Sequence, residues 1–172
     1  MPLVVDNKDV PSSCTLIFYE CGRLSEEAML NLIASALQGS KFCHVELAIG
    51  EMCGPKGEMK NVLRVFNDRK GVELVDRTGR NPSYTYISIG CSERSTNRML
   101  EFARDAVGTP FSTYGMACSL MWPRITDGSS YFCAELVAAC LKAGGLLDVR
   151  SNPGSATPSM LHRIYSVRGA NC

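Results

Sequence analysis

The chain has 172 residues, 45% of them hydrophobic and 20% charged, a balance that suits one globular domain with a full core. Its formal net charge of +1 offers none of the clustered basic excess that nucleic-acid binding calls for, and no stretch approaches the roughly 18 apolar residues of a membrane span. Nine cysteines, an odd number with no C-x-x-C pair, argue against a secreted disulfide framework and against a structural zinc site, so reduced thiols in an intracellular, cytoplasmic setting are expected.

In chain order, residues 1–11 read as an extended lead-in whose early acids and lack of an apolar run do not suit a signal peptide. Residues 14–19 (CTLIFY) predict a strand, because β-branched and aromatic residues run up to the break at Gly22. Ser25 opens a predicted helix with Glu26 and Glu27 at its positive end and Gly39 at its stop. Residues 43–49 predict a second strand, with His44, Glu46 and Ala48 on one face and Cys43, Val45, Leu47 and Ile49 on the other. After a Pro55-containing loop, residues 62–66 and 72–75 predict a hairpin, and residues 84–89 (YTYISI) a further strand. Thr96 is the expected cap of a helix that Gly108 and Pro110 stop. Residues 111–122 are apolar and partly helical in pattern, and Met116, Leu120, Met121 and Trp122 form an apolar cluster that suits either plain core or an acyl pocket.

The most telling stretch is residues 129–145, SSYFCAELVAACLKAGG. Ser129 or Ser130 can cap it, Gly144 and Gly145 can end it, and the interior is rich in helix formers. Cys133, Leu136, Val137 and Cys140 recur at three to four residues and share one apolar face. Cys133 therefore falls in the first turn of a buried helix, where the helix field favours a thiolate over a thiol. A buried cysteine is also ordinary core material, so a catalytic reading needs a base. Thr157 and Pro158 then cap a short last helix, SMLHRI. The uneven alternation of helices with antiparallel-type strands predicts an α+β domain spanning residues 1–172.

Two histidines are available, His44 and His162. His44 shares a strand face with Glu46, which can hold the ring as the third member of a triad does; Asn67 and Asn61 are alternatives for that position. His162 has no obvious acidic partner. Cys43 adjoins His44 but points to the other face of the strand, so it is expected in the core. A metal site of Cys43, His44 and Cys53 has poor spacing. The backbone N–H of Cys133 is the expected oxyanion donor.

The order of SKFCHVELAIGE, VGTPF, SSYFCAELVAACLKAGG and ATPSMLHRI resembles the permuted NlpC-like thiol hydrolases, including the YiiX-like and lecithin:retinol-acyltransferase-like groups. The resemblance covers about residues 14–164, and the FCAELV and HVEL segments are its most specific parts. It implies a papain-like fold with the histidine strand before the cysteine helix, Cys133 as nucleophile and His44 as base; the third residue varies across the group, and the shared strand face points to Glu46. It implies action on amide, ester or thioester bonds of a peptide or lipid acyl substrate, as hydrolase or acyltransferase, without metal or cofactor. A non-catalytic lipid- or peptide-binding module on the same fold is the alternative. A redox role through Cys133 and Cys140 is disfavoured, because two helical turns, about 10 Å, separate them.

Overall fold

The computed structural model describes residues 11–20, 41–51, 57–119 and 125–169. Five strands form one antiparallel sheet: β1 (Pro11–Glu20), β2 (Phe42–Ile49), β3 (Met59–Phe66), β4 (Gly71–Arg77) and β5 (Tyr84–Ser92). Their order is β4-β3-β2-β1-β5, so the strand CTLIFY lies inside the sheet, paired with β2 and β5. That position explains its unbroken apolar character. Cys14, Leu16 and Phe18 feed the main core on one face, and Ile17 and Tyr19 feed a smaller cluster on the other. The expected helix opened by Ser25 lies outside the described residues.

Among the described residues four α-helices follow: α1 (Glu93–Ala106), α2 (Thr113–Cys118), α3 (Cys133–Ala143) and α4 (Pro158–Gly169). The chain is thus α+β, as its alternation of patterns implies. α3 packs on β2, β3 and α1, and its whole span from Cys133 to Leu141 is buried. Burying so much of a helix requires apolar or small residues all round, which LVAAC supplies.

Several caps differ from expectation. α1 begins three residues before Thr96. Ser92, in extended backbone, takes the N-cap and its hydroxyl accepts from the Ser95 amide at 3.1 Å. Thr96 instead faces the sheet and donates to Ser12 Oγ at 3.1 Å. Neither Ser129 nor Ser130 caps α3: the N-cap is Phe132, which has no capping side chain. Ser129 donates to Asp127 Oδ1 at 2.7 Å, while the buried carboxylate of Glu135 accepts from the Phe132 amide at 3.4 Å and from Thr126 Oγ1 at 2.9 Å. A carboxylate in the first helical turn thus reaches back to the N-cap amide, the carboxylate half of a capping box, in the absence of a capping serine.

The C-terminal end of α3 follows the expected logic with one division of labour. Only Gly145 is left-handed, at φ 76, and the Leu146 amide bonds back to the Leu141 carbonyl at 2.8 Å. Gly144 stays right-handed and is required for a different reason. A Cβ there would lie 2.6 Å from Met99 Cγ, so its absence lets α1 and α3 approach. Thr157 caps α4 through the Met160 amide at 3.1 Å, and the helix runs on to Gly169, beyond the short segment expected. α2 occupies only residues 113–118 of the apolar stretch; Met116 is core, and Leu120, Met121 and Trp122 lie outside the described residues.

Candidate active site

The chemistry-bearing residues meet where the sheet splits. β3 pairs with β2 only at Leu47↔Leu63 and Ala48↔Val62, so the first half of β2 is left without that neighbour. The N-terminus of α3 fills the gap. The amide of Val45, on β2, donates to the sulfur of Cys133, the first residue of α3, and the Ala134 amide does the same from within the helix. The helix supplies the ladder partner that the diverging strand withholds.

Cys133 and His44 lie close enough for each to shift the pKa of the other. Cys133 is 4% exposed and His44 1%. Burial works against both charges, but the pair offsets it. For His44, burial lowers the pKa, while the Cys133 thiolate and then Glu46 raise it to about 9. For Cys133, burial raises the pKa, while the His44 charge and the two backbone amides bring it below the ordinary thiol value. Both shifts run in the direction that favours a thiolate–imidazolium pair.

The imidazole is held on every side. Its Nε2 donates to Glu46 Oε1 at 3.4 Å, a long bond between two fully enclosed groups. Nδ1 is buried and has no hydrogen-bond partner among the described residues. Phe66 stacks on the ring at 4.4 Å between centroids, and Tyr19 meets it edge-on at 4.9 Å. Glu46 is 0% exposed and carries a second partner: Arg77 Nη2 lies 3.1 Å from each of its oxygens. The carboxylate thus sits between two cations, which is how a buried charge is kept without neutralising.

The three residues singled out from the sequence, Cys133, His44 and Glu46, therefore come together. The two asparagine alternatives do not join them. Asn67 lies in the exposed turn after β3, and Asn61 sits in a β3 irregularity at φ 52 with its amide bonded to Asp76 Oδ1 at 3.0 Å. Both belong to the hairpin's outer features, where local turn geometry sets their direction. His162 packs between Phe42 and Phe18, at 4.6 and 5.3 Å, and its pKa is lowered by burial and by Lys41. Cys43 is buried and donates to the Tyr19 carbonyl at 3.7 Å, away from the pair. The metal set of Cys43, His44 and Cys53 cannot be placed as a whole, because Cys53 lies outside the described residues.

Arg77, Phe66 and Tyr19 are site residues that sequence pattern does not single out. Each reads as an ordinary strand position. Only the pairing register, Tyr19↔His44 and Ile17↔Glu46, with β3 and β4 folded alongside, brings them to the imidazole and carboxylate.

No protein-family model matches this chain, and no curated protein or solved structure matches it. Among the described residues no helix is long and apolar enough to cross a membrane.

Proposed function

We propose that this chain is a cysteine-dependent hydrolase or acyltransferase with a permuted papain-like arrangement, cleaving an amide, ester or thioester bond in a peptide or lipid acyl substrate. The observation that carries the reading is the pairing of a helix-terminal Cys133 with a strand-borne His44 whose second nitrogen is held by Glu46. A nucleophile, a base within reach and a group orienting the base are the parts that thiol catalysis requires.

The thiolate of Cys133 attacks the carbonyl carbon, and the carbonyl oxygen becomes an oxyanion. The backbone N–H of Cys133, one of the amides a helix leaves without an internal partner, is placed to donate to it. The tetrahedral adduct collapses by breaking the bond to the amine, alcohol or thiol, which leaves with the proton from His44. An acyl-enzyme remains on Cys133. Water or another acceptor then gives a proton to His44 as it attacks, and the Cys133 thiolate departs. His44 is left protonated, so the ion pair is restored. Glu46 stays ionised throughout and stabilises the imidazolium.

The near-complete enclosure of Cys133 and His44 favours one second reading, a module that holds a lipid or peptide without turning it over. Intact mass after incubation with a panel of acyl thioesters and p-nitrophenyl esters distinguishes them. The catalytic reading expects an acyl mass gain mapping to Cys133, absent in Cys133→Ala and slow to form in His44→Ala. No acylation by any donor, with the fold intact, would favour the binding module.

A further inference from the structure

A second opening lies beside Arg77, past the end of β4. It is a pocket of about 340 Å³ lined by Arg77, Thr78, Arg80, Asn81, Tyr84 and Tyr86. Its walls hold two guanidinium groups and, among the described residues, no carboxylate. Arg77 Nη2 lies 3.1 Å from both oxygens of Glu46. A guanidinium carries five N–H donors, so this contact leaves donors on Arg77 that Glu46 does not use. Arg80 lies over the Tyr86 ring, 5.2 Å from its centroid. Tyr86 is itself oriented, since its hydroxyl accepts from the Asn81 amide at 2.9 Å. The rim is closed by a turn in which Asn81 accepts from the amides of Ser83 and Tyr84, at 2.9 and 3.1 Å. Tyr84 is fixed from below by stacking on Tyr19 at 4.0 Å. The cations therefore stand on a pre-organised frame, which reduces the ordering cost of binding an anion.

We propose that this pocket binds a phosphate ester, its oxygens held between Arg77 and Arg80 and its organic part laid against Tyr84 and Tyr86. Two planar forks of donors suit a tetrahedral group with three outward oxygens, whereas a carboxylate is satisfied by one fork. The volume exceeds what a bare ion fills and falls in the range of small-molecule sites. The pocket shares Arg77 with the Glu46 buttress, but its binding of an anion does not require Cys133 to turn over a substrate. The same headgroup chemistry occurs on soluble esters and on lipids, and the test separates them.

Isothermal titration of the full chain with glycerol 3-phosphate reads the soluble source. Sedimentation with phosphatidylcholine vesicles, with and without phosphatidic acid, reads the lipid source. The expected result is saturable binding of one or both probes, weakened about tenfold or more in Arg80→Ala, as loss of a charge-assisted contact implies. Binding should be largely kept in Arg80→Lys and unchanged in Arg150→Ala, which removes a cation from the separate opening lined by Lys142 and Arg150. Arg80 is exposed, so its replacement leaves the fold intact. Saturation by glycerol 3-phosphate alone assigns a soluble ester, and Arg80-dependent sedimentation with phosphatidic acid assigns a lipid headgroup. Failure of both probes to bind, binding that survives Arg80→Ala, or binding lost equally in Arg150→Ala overturns the proposal.

Discussion

Replacing Glu46 by Gln tests the site most sharply, because the carboxylate is shared between two cations. Its Oε1 lies 3.4 Å from His44 Nε2, and Arg77 Nη2 lies 3.1 Å from both oxygens. At an effective dielectric of about 20, unit charges at the His44–Glu46 separation attract by about 5 kcal/mol before desolvation is counted. Most of that is offset by burial and by Arg77, so the net worth is better judged as that of one charge-assisted hydrogen bond, about 1.5–3 kcal/mol. A glutamine keeps an acceptor for Nε2–H but withdraws the charge that stabilises the imidazolium. Turnover on an acyl donor should therefore fall roughly ten- to a hundredfold, less than the roughly 10⁴ of a serine triad, because a thiolate is already nucleophilic. Arg77, only 23% exposed, is left beside a neutral amide, so a melting temperature a few degrees lower is expected as well. A double variant, Glu46→Gln with Arg77→Met, should recover stability while turnover stays low. The rival arrangement predicts damage from Asn67→Ala or Asn61→Ala, and both should be silent here. Turnover unchanged in Glu46→Gln, with a normal melt, would remove Glu46 from the site and refute the charge argument.

Brief iodoacetamide treatment near neutral pH should label Cys133 ahead of the deeply buried Cys14 and Cys140, whose thiols are held well above the ordinary value, Cys14 by its contact with Cys91 and then by burial, Cys140 by burial. Cys91, half-buried and lowered to about 6 chiefly by its contact with Cys14, is the internal reference: His44→Ala should slow labelling of Cys133 roughly tenfold or more and leave Cys91 unchanged. Mass mapping checks both. The pH dependence has a definite sign. The raised pKa of His44 contributes stability that is fully present below about 6.5 and is lost as pH rises through about 9. The lowered pKa of Cys133 contributes stability present above 9.0 and lost as pH falls through its depressed value, so the pair is populated between the two. kcat/KM should fall on the alkaline side near pH 9, and His44→Ala should abolish that limb. Gly144→Ala places a methyl 2.6 Å from Met99 Cγ and should cost about 1–3 kcal/mol in urea melts, with Met99→Ala relieving the clash at the expense of a cavity.

What the sequence determined by itself is local and periodic. A 3.6-residue apolar pattern and a paired glycine stop are enough to place Cys133 in the first turn of a helix, and alternation along CHVELAI is enough to put His44 and Glu46 on one face. Both follow from backbone geometry, which acts over a few residues and is written in side-chain spacing. The start of α3 was less legible, because no serine caps it and Glu135 reaches back from the first turn to the Phe132 amide instead. The tertiary structure alone decided the rest. Where β3 leaves β2 is a pairing register set by contacts between separate strands, and no short segment records it. Arg77 reaches Glu46 across 31 positions of sequence, and Phe66 reaches His44 from the end of the neighbouring hairpin. No short-range pattern records such partners. The free energy that selects them belongs to burial and to charge compensation in a closed core, and these exist only once the sheet has assembled.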